Sequence, residues 1–337
     1  MGGLRHWFWK RLGLAPREEV VALSDRVGRL AREVRQAAGQ ADKRAALQTA
    51  AFSRLEDRFG TPTRGLDGRL RHVERNVNAL IRGQYVDQET LPFPHNVLSQ
   101  RFHLWSQNEE DGITLALFKL IGATHRTFVE LGAGVNGGNC GMLAEVCGWQ
   151  GLMVDGSEAR AAKLAARFGR FGVETTGTWI TAEGVNALIQ EHGLEGEIDL
   201  FSLDIDGSDY WVWDALNVVS PRVVIVEFNP AFGPDRAVTV QYDPAFDRGR
   251  FKSVTPHFYG ASLAAFARLG AQKGYRLVLV EPRGANAYFV REDVAPDSVH
   301  HVSARLAHPA PGTDAGPLFE LIEREQLPIV DLDASHG

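Results

Sequence analysis

The fold of this chain is decided by one stretch of sequence, Phe128-Val129-Glu130-Leu131-Gly132-Ala133-Gly134-Val135-Asn136-Gly137. Its first residues are mostly apolar and predict a short buried strand. The spacing Gly132-x-Gly134-x-x-Gly137 follows where that strand must turn into a helix. Glycines at such a turn let the backbone bend tightly and approach a ligand closely. The stretch therefore predicts a nucleotide-binding turn at the carboxyl end of a strand.

Downstream of this stretch, short apolar runs alternate with helical patterns. The predicted strands are 127–131, 151–154, 173–180, 198–203, 223–227, 276–280 and 287–290. The predicted helices are 138–148, 158–169, 182–192, 208–218 and 261–273. Such alternation is typical of a parallel sheet with helices on both faces. Only residues 282–286 separate the last two strands, which is too short for a crossover helix, so an antiparallel hairpin is expected there.

The composition describes a protein with two differently charged parts. The 337 residues are 44% hydrophobic and 23% charged, which is ordinary for a soluble globular protein. The net charge of −6 divides into +8 over residues 1–84, with 17 basic against 9 acidic side chains, and −14 over the remainder. An acidic body argues against a nucleic-acid-binding core, so no nucleic-acid partner is expected. Two cysteines and no long apolar run favour a reducing, cytoplasmic compartment.

Four regions are expected along the chain. Residues 1–84 carry apolar residues at heptad-like spacing and predict a helical, coiled-coil-like module for self-association, giving a homo-oligomer. The aromatic cluster Trp7-Phe8-Trp9 in this basic region leaves peripheral membrane contact as an alternative. Residues 85–126 form a connecting helical segment, 127–295 the main domain, and 296–337 a tail rich in proline and glycine, in which residues 318–325 are a short helical candidate.

Carboxylates and asparagine follow several of the predicted strands. Asp155 ends the second strand and can accept both ribose hydroxyls of an adenosine cofactor. Glu130 stands directly before the glycine turn, where it disfavours a pyrophosphate and suits the ammonium group of a methionine moiety. Asp204 and Asp206 follow the fourth strand and would point the same way if that strand continued. Since the ends of parallel strands share one cleft, this charge favours S-adenosylmethionine over a nicotinamide dinucleotide.

Asp204 and Asp206 have two chemical interpretations and one structural one. Either can act as general base for a substrate hydroxyl, or they can bind Mg²⁺ together with Glu227 and Asn229. Alternatively, residues 206–209 cap the next helix. About 30 residues without periodicity follow Asn229, and a loop of that length is usually functional. Within it, His257 is the best histidine candidate for a base.

The motifs resemble those of class I S-adenosylmethionine-dependent methyltransferases, on residues 128–134 and 154–158. More narrowly, Ser106-Gln107 with Glu110-Asp111, the segment 199–207 and the segment 286–290 resemble the FkbM-like branch. The resemblance covers residues 105–292. It implies a Rossmann-like sheet that ends in an antiparallel hairpin.

The site residues expected from this combination fall into three sets. Cofactor contacts are expected at Glu130, Gly132, Ala133, Gly134, Gly137, Asp155, Gly156, Ser157, Thr181, Ala182, Glu183 and Asp204. The catalytic candidates are Asp204, Asp206 and His257, and the substrate-binding candidates are Gln107, Glu227, Asn229 and Tyr259. A metal ion would be held by Asp204, Asp206 and Glu227.

The expected function is O-methylation of a hydroxyl on a small-molecule or saccharide acceptor. N-methylation stays open. Two alternatives remain: an NAD(P)-dependent oxidoreductase, and a non-catalytic interaction protein whose methyltransferase-like body is a scaffold.

Overall fold

The computed structural model describes residues 75, 77–78, 91–283 and 286–333. The chain divides into two units, Met1–Asn78 and Ala79–Gly337, and the description below concerns the second. The predicted module at 1–84, its self-association and its membrane contact therefore lie outside the described residues, apart from three positions. The four region boundaries expected from the sequence stay predictions.

A seven-stranded sheet forms the centre of the described domain, in the order β3-β2-β1-β4-β5-β8-β7. Its strands are β1 (Thr127–Leu131), β2 (Gln150–Asp155), β3 (Val173–Gly177), β4 (Gly196–Leu203), β5 (Val219–Glu227), β7 (Tyr275–Val280) and β8 (Asn286–Arg291). Strands β1 to β5 pair in parallel. Strand β8 pairs antiparallel with both β5 and β7. The predicted parallel sheet with a terminal hairpin is confirmed.

The helices connect these strands. They are α1 (His95–Leu98), α2 (Glu110–Ile121), α3 (Gly141–Cys147), α4 (Glu158–Phe168), α5 (Val185–Glu191), α6 (Asp209–Ala215), α7 (Leu263–Gln272), α8 (Ala304–Ala307) and α9 (Gly316–Arg324). Short 3-10 turns occupy Gly169–Phe171, Pro230–Phe232 and Arg248–Phe251. Each crossover between parallel strands contains a helix, as a parallel connection requires.

The central strands are buried on both faces, which explains their continuous apolar runs. In β4 all six residues from Ile198 to Leu203 are buried, including Asp199 and Ser202. Parallel strands covered by helices on both sides characteristically read this way rather than alternating. The buried Asp199 carboxylate accepts backbone N–H groups of Thr124, His125 and Arg126 and thereby fastens the chain entering β1.

A small second sheet corrects two expectations from the sequence. The segment after β5 is not simply a loop, because β6 (Val238–Val240) lies within it and pairs antiparallel with β9 (Ile329–Asp331) in the tail. Apolar side chains from both segments form one cluster, which includes Phe232, Phe258 and Ile322. The tail therefore packs onto the segment that follows β5. Among the described residues, no helix is both long enough and apolar enough to cross a bilayer.

Candidate active site

A cleft of about 490 Å³ opens at the carboxyl ends of β1, β2 and β4. Its walls are formed by Gly132, Gly134, Asp155, Gly156, Arg160, Trp179, Ile180, Asp204, Ile205, Asp206, Ser208, Tyr242, Asp243, Pro244, Phe246, Asp247, Arg248, Gly249 and Lys252. Six of the expected site residues are among them: Gly132, Gly134, Asp155, Gly156, Asp204 and Asp206. The segment 242–252 forms the opposite wall, so the cleft is built jointly by the sheet edge and by the region after β5.

Gly132 and Gly134 of the turn must both be glycine, each for a different reason. Gly132 has φ +91°, and a Cβ on it would lie 1.7 Å from the carbonyl oxygen of Asp204. Gly134 has φ +62°, a left-handed conformation that side-chain-bearing residues rarely adopt. The backbone N–H of Gly134 donates to Asp155 Oδ2 at 3.0 Å. The turn thus brings bare backbone against the ends of β2 and β4.

Asp155 lies at the floor of this turn, with 3% of its surface exposed. Its Oδ1 accepts from the backbone N–H of Ser157 at 2.8 Å and from Arg160 Nε at 2.7 Å, while Oδ2 accepts from Gly134. A carboxylate has about four acceptor positions, so one stays available for a ribose hydroxyl. Release of Arg160, whose side chain is about half exposed, would open a second.

Glu130 does not face the cleft, which is a correction. Its side chain is 1% exposed and lies beneath the glycine turn, where Ser202 Oγ donates to Oε1 at 3.0 Å. A Cβ on Gly138 would come within 2.2 Å of this carboxyl group. Burial raises the pKa of Glu130 from 4.5 to about 8, against the opposing contacts of Cys140 and Ser202. Glu130 is therefore uncharged at neutral pH, and it offers no negative charge for an ammonium group.

Two further residues of the turn are structural. Ala133 is fully buried, and a Cβ on Gly137 would contact Gly141 Cα at 2.8 Å and the Phe168 ring at 2.9 Å. Neither lines the cleft. Helix α3 begins only at Gly141, four residues after the last glycine of the motif, and has seven residues.

Residues 181–183, where cofactor contacts are expected, are not part of the cleft wall, which Trp179 and Ile180 line at this position. Trp179 is 58% exposed, lines the cleft, and donates from Nε1 to the carbonyl of Pro244 at 2.8 Å. The side chains and backbone at 181–183 instead hold the opposite wall: Ala182 N–H donates to the Tyr242 hydroxyl, which donates to Glu183. The sequence prediction extended β3 to residue 180, although it ends at Gly177. Because the predicted strand included residue 179, the sequence did not indicate that Trp179 is exposed.

Three carboxylates meet at the other end of the cleft. One oxygen from each of Asp204, Asp206 and Glu227 lies within 4.8 Å of the others. The reason given by the sequence is wrong, because β4 ends at Leu203 and Asp206 has φ +58°. The chain turns through a left-handed residue, not along an extended strand, and this turn still returns Asp206 toward Asp204.

Carboxyl groups outnumber positively charged side chains in this cluster. Burial, and then the neighbouring Asp206, raise the pKa of Asp204 from 3.8 to about 6. Burial and the Asp204 charge hold the pKa of Glu227 well above its ordinary range. A hydrogen bond between the two carboxyl groups, with the proton on Glu227, stabilises the carboxylate form of Asp204. Of this pair, Asp204 is the member whose carboxylate form is favoured, so it is the one able to accept a proton.

No side chain caps the start of α6, because its N-cap residue Ser208 makes no side-chain hydrogen bond to the helix. The buried Asp209 carboxylate instead accepts the backbone N–H groups of Ile205 and Gly207, both at 2.8 Å. Burial, followed by the charge of Asp204, raises its pKa to about 7. These two bonds fasten the turn that carries Asp204 and Asp206, and the capping alternative for residues 206–209 is wrong.

Arg248 is a site residue that sequence reasoning missed. Its Nη1 binds Asp206, its Nη2 donates to the carbonyl of Pro256 at 3.1 Å, and its guanidinium lies 3.7 Å from the centre of the Tyr259 ring. The substrate candidate Tyr259 thus borders the cluster through Arg248. Burial and the charge of Glu227 raise the pKa of Tyr259 to about 12, so its hydroxyl stays protonated.

The remaining candidates lie elsewhere. Asn229 is buried, and its amide is used within the chain: Nδ2 donates to the carbonyls of His257 and Tyr259, and Oδ1 accepts from Ala231 N–H. Its expected substrate contact is therefore replaced by a structural one. His257 and Gln107 are both exposed and neither is part of the cleft wall. Glu227 contacts Asp204 but does not itself line the cleft.

The acidic cluster fits a hard divalent cation. Three carboxylate oxygens lie within 4.8 Å of one another, and Mg²⁺ takes oxygen ligands, so the cluster could hold the ion once these oxygens move in to its bond length of about 2.0–2.1 Å. In addition, Glu227 Oε2 is buried and has no hydrogen-bond partner among the described residues. A buried oxygen of this kind can take a metal ion or a donor-bearing ligand.

Comparisons with known proteins assign no family to this chain. No family model matches the sequence, and no curated protein matches it significantly. Among solved structures, the chain is similar to an O-methyltransferase from Bacillus cereus in complex with SAH, with 18% identity, 62% of this chain and 96% of that chain covered, and a TM-score of 0.35.

It is also similar to the mitomycin 7-O-methyltransferase, with 13% identity, 66% and 68% coverage and a TM-score of 0.32. A third is the O-methyltransferase of neocarzinostatin biosynthesis in complex with SAH and 1,4-dihydroxy-2-naphthoic acid, with 14% identity, 65% and 70% coverage and a TM-score of 0.31. At identities and TM-scores this low, functional assignment rests on the geometry of the cleft.

Proposed function

We propose that this protein is an S-adenosylmethionine-dependent methyltransferase, acting on a hydroxyl of a small-molecule or saccharide acceptor and following the FkbM-like pattern of motifs. One observation carries the proposal. A single cleft runs from the glycine turn and Asp155 at one end to Asp204 at the other, and its volume of about 490 Å³ is in the range of small-molecule sites.

The start of α3 favours this cofactor over a dinucleotide. A dinucleotide fold places the pyrophosphate on the N-terminus of a helix that opens within the glycine motif. Here the helix begins after the motif, at Gly141, and is only seven residues long. The late start of α3 therefore supports S-adenosylmethionine over a dinucleotide, whereas the charge of Glu130 does not, because that carboxyl group is buried and neutral. Among the residues that the structure describes, Arg160 favours the oxidoreductase, because it could bind a 2′-phosphate beside Asp155.

The residues of the cleft have distinct roles in this proposal. Asp155 would receive the ribose, and Trp179 with Ile180 would flank the adenine. When bound, the cofactor would supply an electrophilic methyl group and leave as S-adenosylhomocysteine. Asp204 would accept the proton of the acceptor hydroxyl, and most of the rate acceleration would come from orientation of the reactants.

Magnesium is part of the proposal as a second way to activate the hydroxyl. Asp204, Asp206 and Glu227 would hold the ion, which would lower the pKa of a bound hydroxyl. Arg248 would then give up its contact with Asp206. Activity measured with EDTA and after addition of Mg²⁺ distinguishes the two ways: loss and recovery indicate the metal, and unchanged activity indicates Asp204 alone.

Calorimetric titration of the full chain tests the cofactor assignment. S-adenosylhomocysteine is expected to bind, and NAD and NADP are expected to give no heat. Binding of a nicotinamide cofactor without S-adenosylhomocysteine would establish the oxidoreductase instead. Binding of none of these ligands would favour the interaction-protein alternative.

A further inference from the structure

Three polar side chains stand next to one another on the β5, β8 and β7 side of the cluster. Glu227 at the end of β5 and Asn286 at the start of β8 are direct cross-strand partners. The backbone N–H of Glu281 donates to the carbonyl of Asn286 at 2.9 Å, which places Glu281 opposite Asn286 on the other side. Direct partners in antiparallel strands point to the same face of a sheet. The three side chains therefore form a row that continues outward from Asp204.

Each member of this row has a buried oxygen without a hydrogen-bond donor among the described residues: Glu227 Oε2, Asn286 Oδ1 and Glu281 Oε1. Asn286 Nδ2 donates to Glu110 Oε1 at 2.8 Å, so the oxygen is the end of the amide that is left free. Glu281 and Asn286 are at most 2% exposed. Buried oxygens without partners are rare in proteins, and three on adjacent strands indicate a ligand that brings donors.

The chemistry of the row restricts what that ligand can be. All three free atoms are oxygens that can accept a hydrogen bond, and the buried carboxyl group of Glu110 lies directly beside Asn286. A protonated amine has three N–H donors and no acceptor, whereas a hydroxyl brings lone pairs that need donors of their own. Charge and hydrogen-bond balance both favour a cationic amine.

We propose that the methyl acceptor carries a protonated amino group, which the row Glu227, Asn286 and Glu281 binds while the reacting hydroxyl lies at Asp204. This rests on the proposed methyltransferase function and narrows its acceptor to amino-bearing compounds such as amino sugars. The amine is the anchor, and the methyl group goes to the neighbouring hydroxyl.

The test compares glucosamine with glucose, which differ in one amino group. Saturation-transfer NMR competition on the full chain, at pH 6.5 in EDTA, measures binding of each sugar. Glucosamine is expected to bind at least about tenfold more tightly, because hydrogen bonds to a charged partner are roughly twice as strong as neutral ones. In Glu227→Gln the preference should fall to within about twofold, whereas in Glu191→Gln, which changes an exposed glutamate at the end of α5, it should persist.

Equal binding of the two sugars, or a preference that Glu227→Gln leaves intact, would overturn the proposal and leave water as the partner of these oxygens. Should Glu227→Gln not fold, Glu281→Gln provides the same comparison from the other end of the row. Binding of S-adenosylhomocysteine, measured in parallel, reports on the proposed function alone. An amine preference without S-adenosylhomocysteine binding would reject the methyltransferase while keeping the cation site.

Discussion

Replacement of Glu130 by glutamine should change how the stability of the domain depends on pH. In the folded protein burial raises the pKa of this carboxyl group from 4.5 to about 8. A raised pKa means that the folded state holds a proton that the unfolded state has released. The resulting stabilisation is fully present below pH 4.5 and is lost as the pH rises toward 8.

The magnitude follows from the pH interval. At this site the folded state carries about 0.8 more protons than the unfolded state at pH 5, nearly one more at pH 6 to 7, and about half a proton more at pH 8. At 1.36 kcal/mol for each proton and pH unit, the wild type should lose roughly 3 to 4 kcal/mol more than Glu130→Gln over that interval. Other buried acids with raised pKa values, among them Asp209 at about 7, contribute equally to both proteins and cancel in the difference.

Urea denaturation of both proteins at half-unit steps from pH 5 to pH 8 measures the two curves. Glutamine keeps the size of the side chain and an oxygen for Ser202, so any constant offset between the curves does not matter. The slope does. Glu191→Gln, on an exposed residue, serves as the control and should run parallel to the wild type. Parallel curves for Glu130→Gln would show that Glu130 is ionised in the folded protein and would refute the buried neutral acid.

The other predictions concern the cleft and the unassigned N-terminal region. Asp204→Asn should lower turnover by about 10²-fold or more, the usual range for a positioned base, with S-adenosylhomocysteine affinity within about twofold; equal turnover would remove Asp204 from the reaction. Trp179→Ala should weaken S-adenosylhomocysteine binding about tenfold in calorimetry, since stacking on an aromatic ring is worth about 1–3 kcal/mol, and an unchanged affinity would place the adenine elsewhere. Removal of residues 1–84 should lower the number of subunits per particle, calculated from the mass measured by light scattering, and an unchanged number of subunits would contradict self-association through that region.

The sheet could be predicted from sequence because its signals are local. The predicted strand 127–131 coincides with β1, and most other strands differ from prediction by one or two residues at an end. The terminal hairpin followed from the five residues between the last two strands. Strand β5 begins four residues earlier than predicted, since Pro221 and the exposed Ser220 interrupt the apolar pattern.

The β6–β9 pair could not be predicted, because nothing local marks it. Each strand has three residues, and about 90 residues separate them. So short a run cannot be told from a loop by periodicity, and its pairing depends on a partner far along the chain. The second wall of the cleft was missed for the same reason.

In the site, sequence reasoning found which carboxylates gather but not what state they are in. Asp155, Asp204 and Asp206 follow strands whose ends meet in any parallel sheet, so their place in the cleft was predictable. The neutral state of Glu130 was not, because it depends on burial beneath Gly138, which outweighs the hydrogen bond that Ser202 donates. Likewise, the role of Asn229 is set by carbonyl groups 28 and 30 residues away.

The pairing of β6 with β9 also determines when the cleft can close during synthesis. The glycine turn, Asp155 and Asp204 are all made before residue 210, whereas the wall 242–252 adjoins β6, whose partner strand is made about 90 residues later. Chains emerge from the ribosome at about 5–20 residues per second, so several seconds pass between the two events. During that interval the sheet edge that carries Asp155 and Asp204 is present, whereas the wall 242–252, which Trp179 contacts through Pro244, still lacks the support of β9. A nascent chain of this protein should therefore complete its central sheet before it completes its cleft.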